Sequence, residues 1–232
     1  GNFKTDSIIP LLETYLGGLP VKNVDEKWKN REPEFPTGKH EIVVRKGTEP
    51  KGMVGIMMSG DIEWNYEDRL HLNMMMKILS IKLRENMRED QGGVYGVQIS
   101  DNTEKYPESE YSINVFFGCS PDKADSLIFT VYDEMNEIIE NGPYAIDLEK
   151  VKESLIRERE TDLEKNNYWL NKLYYNCFYE GNFESLTNFE DKVMAVDGED
   201  IKNAASKYIN LNDYVQVVLM PEEDGKKKKK KK

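Results

Sequence analysis

The residues best placed to do chemistry lie in the stretch Leu83-Arg84-Glu85-Asn86-Met87-Arg88-Glu89-Asp90-Gln91-Gly92-Gly93-Val94-Tyr95-Gly96-Val97. Arg88 stands at the end of a long apolar-periodic segment, a Gly-Gly pair turns the chain, and Tyr95 follows beside Gly96. A guanidinium and a phenol held at one edge can bind a peptide carbonyl and donate to a developing oxyanion. Small residues beside the tyrosine let another backbone come close. A purely structural reading uses the same residues: Arg88 satisfies the last carbonyls of a helix, and Tyr95 is a good strand former. Spacing alone leaves both readings open.

Other chemistry is thinly supplied. Cys119 and Cys177 make no disulfide framework and form no C-x-x-C, so two packed or free thiols are expected, although one bridge between them stays possible. His40, followed by Glu41, and His71, within Leu70-His71-Leu72, each lack a second histidine at helical spacing. No metal site is therefore expected from this chain. The run Met74-Met75-Met76 is read as core packing rather than a soft-metal site, with two of the three on the buried stripe.

The elements that must position Arg88 and Tyr95 follow from periodicity. Residues 66–88 carry Leu72, Met75, Met76, Leu79, Leu83 and Met87 at spacings of three and four, which predicts one long helix with a buried face. Strands are expected over 94–100 and 111–118, and earlier over 40–46 and 53–59, the latter two joined as a hairpin or a longer link. A helix is expected over 7–16. Ser120-Pro121-Asp122 predicts another, with Ser as the cap and Pro at the first helical position. Further helices are predicted from about Asp147, with Arg157 to Glu160 as a solvated charged run, around 168–179 and 184–195, and from an Asp197 cap to Ile209. The nearly all-apolar 214–220 predicts a last strand that is central or buried on both faces. Strands and helices are segregated, so the fold class is α+β: a mostly antiparallel sheet packed with several helices. One domain over residues 1–225 and a disordered lysine tail over 226–232, native or engineered, complete the organisation.

Composition narrows the partners. The 232 residues carry a formal charge of −11, and without the seven terminal lysines 25 cations face 43 anions, a body at −18. Such a body repels phosphate backbones and anionic surfaces, so neither nucleic acid nor a membrane surface is an expected partner. No apolar run has the length of a membrane span. The opening at Gly1-Asn2-Phe3, with no signal peptide, reads as a cloning or processing boundary.

The segment with Arg88, Gly92-Gly93 and Tyr95 after a long helix resembles the C-terminal half of the pitrilysin/insulinase family of zinc metallopeptidases. The opening Gly1-Asn2-Phe3 followed by Tyr15-Leu16-Gly17-Gly18-Leu19-Pro20, and the closing strand at 214–220, are similar to the start and end of such a domain. The resemblance spans nearly all of the chain apart from the lysine tail. It implies homologous α+β domains around a chamber for unfolded peptides, with zinc held in the N-terminal half by an inverted H-x-x-E-H motif plus a distal Glu. It implies further that Arg88 and Tyr95 are catalytic and substrate-binding residues, which position the peptide and stabilise the tetrahedral intermediate. This sequence has no H-x-x-E-H. The expectation is an accessory chamber-wall domain of a zinc endopeptidase, not active by itself, with no cofactor in this chain. Its partners would be N-terminal peptidase domains of the same polypeptide or another subunit, and an unfolded peptide; export to a periplasm is suspected from the family. The alternative is a catalytically inactive scaffold or peptide-binding subunit of the same family. A third reading, a stand-alone peptide-binding module, is favoured by Trp169, Tyr174 and Tyr175 as exposed aromatics, although helix packing is the reading preferred for these three. An acidic chamber wall would favour basic or neutral peptides.

Overall fold

The computed structural model describes residues 2–22, 24–25, 27, 29, 35–89, 94–180 and 186–222, and among these lie five strands and seven α-helices. The strands are β1 (Lys39–Arg45), β2 (Gly52–Asp61), β3 (Val94–Glu104), β4 (Glu110–Cys119) and β5 (Tyr214–Met220). The helices are α1 (Thr5–Leu12), α2 (Tyr66–Glu89), α3 (Ala124–Asn141), α4 (Ala145–Leu163), α5 (Asn166–Tyr175), α6 (Phe189–Ala195) and α7 (Gly198–Tyr208). The strands form one sheet in the order β1-β5-β2-β4-β3, antiparallel except for the β1–β5 pair. This is an α+β fold.

Alternation of side chains sorts the sheet into two faces. Val54, Ile56 and Met58 of β2 and Tyr111, Ile113, Val115, Phe117 and Cys119 of β4 point to the helices and are buried. The opposite face exposes Met53, Met57, Phe116, Val217, Ile42 and Val44. Helix α2 lies across the inner face against β3, flanked by α3, α4 and α7. Its stripe at Leu72, Met75, Met76, Leu79, Leu83 and Met87 is buried as expected, and Met74 and Ile78 are buried too. A second stripe is therefore covered, because α2 has neighbours on several sides.

Local chemistry fixes the remaining ends. Asp197 caps α7 through a capping box, accepting from the backbone N–H groups of Glu199 (2.8 Å) and Asp200 (3.0 Å), while the Asp200 carboxylate accepts from the Asp197 backbone N–H (2.9 Å). The Tyr111 hydroxyl donates to the Tyr208 carbonyl at 2.9 Å and ties β4 to α7. Burial, with Tyr208 close by, pushes that phenol up to about 12.

Several expectations are corrected. β1 and β2 form no hairpin, because β5 lies between them and pairs with both. β5 lies inside the sheet between β1 and β2, so of the two readings it is the central one, and it is buried on one face, through Tyr214, Gln216 and Val218. Ser120 makes no side-chain cap, and Pro121 opens a 3-10 turn before α3 begins at Ala124. α1 is followed by a π-helical turn over Glu13–Gly17, and neither buries a residue, so its apolar side chains are exposed. In the charged run on α4, Arg159 turns inward to Tyr168 and the Leu186 carbonyl. The expected lysine tail at 226–232 and the Gln91-Gly92-Gly93 turn lie outside the described residues.

Phe117 sits fully buried between the sheet and the helices. Replacing it by alanine should lower unfolding stability by about 3–5 kcal/mol in urea titrations. A loss under about 1 kcal/mol would mean that the core is not organised around β4 in this way.

Candidate functional site at the α2–β3 junction

The helix carries Arg88 into its last turn, and Tyr95 follows at the second position of β3. Residues 90–93 between them, and the side chains of Arg88 and Tyr95 themselves, lie outside the described part of the structure. The main chain therefore brings the two positions to one junction, at the end of α2 and the start of the strand it packs on.

Both sides of this junction have distinctive backbone settings. On the strand side, Val94 faces Cys119 and Gly96 faces Gly118, so β3 advances two residues while β4 advances one. Tyr95 is the extra residue, the mark of a β-bulge, which breaks the ladder. Gly96 and Gly118 face each other beside it on the sheet's outer face, and a Cβ on Gly96 would meet nothing within 4 Å. That leaves room over Gly96 for another backbone to approach.

On the helix side, the last two turns of α2 are held by polar contacts as well as by core packing. Lys82 lies 3.5 Å from Asp147 of α4, and Lys150 reaches Asp147 at 3.0 Å and Glu85 at 3.8 Å. The Asp147 side chain is only 3% exposed and is paired with these two lysines. Lys82 also sits 4.4 Å from the Tyr144 ring centroid. Asn86 donates to Glu134 of α3, and burial pushes that carboxyl up while the Asn86 bond opposes the shift. Lys82, Glu85 and Asn86 thus grip the α3–α4 corner while Leu83 and Met87 enter the core. These polar anchors carry no sequence signature, because each partner lies on another helix.

The other candidate residues are dispersed. His40 is on exposed β1, its Nε2 3.0 Å from the Thr37 carbonyl oxygen, and His71 is on α2. Among the described residues no three His, Cys, Asp or Glu side chains converge as metal ligands. Cys119 is buried and Cys177 exposed, and both are free. Burial, with Asp122 nearby, raises the Cys119 thiol. Trp169 and Tyr174 are exposed, whereas Tyr175 packs its ring against Trp64 and Tyr179.

The description of a peptidase M16 inactive domain matches residues 1–155, about two thirds of the sequence. The chain belongs to the M16 peptidase family. Its relatives include the "Probable zinc protease PqqL" of Haemophilus influenzae, 25% identical over 160 residues, or 68% of this chain and 16% of that protein. A "Zinc protease PQQL-like" protein of Arabidopsis thaliana is 24% identical over 187 residues, or 75% of this chain and 20% of that protein. The chain thus spans no more than a fifth of these relatives' length. The fold matches the periplasmic protease PqqL from Escherichia coli with a TM-score of 0.80 at 20% identity, covering 96% of this chain and 25% of that one. It also matches a protease from Helicobacter pylori with a TM-score of 0.76 at 16% identity, covering 95% of this chain and 54% of that one. This chain is an inactive-type domain of a zinc protease family.

Asp147 gives the junction a direct test. Asp147→Ala should destabilise the domain by about 1–3 kcal/mol, below a fully buried pair because its lysine partners reach solvent. Amide exchange over residues 82–89 should speed up more than over residues 66–78. Uniform acceleration along α2, or none, would show that Asp147 does not anchor this end.

Proposed function

We propose that the chain is an accessory domain of a zinc endopeptidase, forming part of a chamber wall and presenting Arg88 and Tyr95 to the peptide. The observation that carries this reading is the junction itself: an anchored helix end at Arg88 feeding a bulged strand at Tyr95, in a member of the M16 family. In this reading the Tyr95 phenol donates to the scissile carbonyl oxygen as negative charge builds there, and the Arg88 guanidinium holds a neighbouring peptide carbonyl. The room over Gly96 lets the peptide backbone approach. The outer sheet face, apolar through Met53, Met57 and Phe116, would contact unfolded chain.

Zinc would be bound by another domain of the same polypeptide or by a partner subunit, a reading supported by the lack of an H-x-x-E-H motif in this sequence and of a converging ligand set among the described residues. The relatives named as zinc proteases support that division, and the periplasmic relative supports export. Residues 1–225 would act as one domain in this arrangement. A non-catalytic scaffold or peptide-presenting role is the second reading, favoured by the inactive-domain description of the family match and by exposed Trp169 and Tyr174. An intact H-x-x-E-H motif in the zinc-binding part favours the peptidase; a degraded one favours the scaffold.

Tyr95→Phe in the complete protease should cut turnover by about 10–1000-fold, as expected for loss of one oxyanion donor. Unchanged turnover in a folded variant would remove Tyr95 from the catalytic machinery. The acidic body should also favour basic or neutral peptides over acidic ones, and a peptide-library profile with no such bias would contradict the charge argument.

A further inference from the structure

Glu134 lies on α3 beside the last two turns of α2, and the Asn86 side-chain amide donates to its carboxylate. The core holds both ends of this bond. Leu83 and Met87 stand to either side of Asn86 in α2, Val131 and Met135 stand to either side of Glu134 in α3, and all four are fully buried. The bond is the last described polar contact of α2 before Arg88, so it acts on the helix end that the candidate site uses.

A carboxylate is unfavourable here in three ways. Burial works against its charge, and Asp133 and Glu137 of the same helix add like charge. The C-terminal end of α2 adds the negative pole of a helix dipole. Lys82, one turn before Asn86, opposes these effects, but its close contacts are with Asp147 at 3.5 Å, Glu85 at 3.9 Å and the Tyr144 ring. Among the described residues the Asn86 amide is the one hydrogen-bond donor that meets the Glu134 carboxylate. A glutamine could accept the same bond without these penalties. What the carboxylate adds is stiffness, because a charge-assisted bond is about twice as strong as a neutral one. Stability given up for a firmer local contact marks a functional position rather than a packing one.

We propose that Glu134 is a positioning residue: acting through Asn86, it fixes the last turn of α2 and with it the place from which Arg88 and the start of β3 meet the peptide. Neither Glu134 nor Asn86 touches substrate in this role. The role rests on the reading of Arg88 and Tyr95 as substrate-contacting residues.

The experiment measures kcat/KM and the thermal midpoint of the complete protease carrying Glu134→Ala, Glu134→Gln or Tyr95→Phe. Glu140→Gln, at an exposed acid on the last turn of α3, serves as the control. Glu134→Ala should lower kcat/KM by roughly tenfold or more, as for catalytic groups displaced rather than removed. Glu134→Gln should lower it by roughly two- to fivefold while its thermal midpoint equals or exceeds the wild-type value, since burial disfavours the charge it removes. Activity and stability thus move in opposite directions, which a merely structural contact would not produce. Glu140→Gln should change neither. Amide exchange over residues 86–89 should speed up in Glu134→Ala and not in Glu140→Gln, a check that needs no turnover. Wild-type kcat/KM in Glu134→Ala, with Tyr95→Phe impaired, would overturn the role of Glu134 and leave that of Tyr95 standing. So would a Glu134→Gln enzyme at least as active as wild type, and this outcome decides alone where Glu134→Ala does not fold. Wild-type kcat/KM in Tyr95→Phe would overturn both the underlying reading and the role built on it, and faster exchange in Glu134→Ala would then mark a structural tie only.

Discussion

Burial of α2 against a single sheet face and three helices is the constraint on which the rest of the structure depends. A helix apolar on one stripe could rest on a sheet and leave its back to solvent. Here Leu72, Met75, Met76, Leu79, Leu83 and Met87 are covered together with Met74 and Ile78. That demands neighbours on several sides, which α3, α4 and α7 provide. The methionines suit this position, because an unbranched thioether adapts to gaps between helices approaching at different angles. With α2 fixed over its length, its final turn has a defined place relative to β3. Anything carried by that turn inherits the rigidity of the core.

The two ends of α2 are finished differently. At its C-terminal end the apolar stripe continues through Met87, and the polar residues Lys82, Glu85 and Asn86 tie to Asp147, Lys150 and Glu134 on the α3–α4 corner. Charges half-covered in this way resist displacement, because separating them strands Asp147 in a dry setting. At its N-terminal end the first turns face aromatic rings and cations from other helices instead. One rigid element therefore presents two chemically distinct settings. The sheet adds a third, an outer face rich in exposed apolar side chains among the described residues.

Much of this was legible in the sequence where the signal is local. Alternation in β2 and β4, the three-and-four spacing of α2 and the Asp197 cap each depend on residues a few positions apart, and each matches the structure. The α+β class follows from their order. What was not legible depends on distant partners. The parallel pairing of Lys39–Arg45 with Tyr214–Met220 joins opposite ends of the chain, so the apolar run of β5 left a central place and two-sided burial both open, and the strand is central with one face buried. Arg159 sits in a run of charges that reads as solvated surface, yet Tyr168 and Leu186 draw it inward. At the candidate site, the Arg88–Tyr95 spacing was visible, whereas the bulge is defined only by register against Cys119 and Gly118. The anchors of α2 were invisible for the same reason.

In the proposed function, the α2–β3 junction holds Arg88 and Tyr95 as one unit acting on the same peptide. A double-mutant cycle on kcat/KM of the complete zinc protease, with Arg88→Ala, Tyr95→Phe and the pair, tests it most directly. Groups that act as a unit give strongly non-additive losses, so the pair should cost little more than the worse single change. Losses that simply multiply would show two independent residues, and no loss from either would show a junction with a purely structural role.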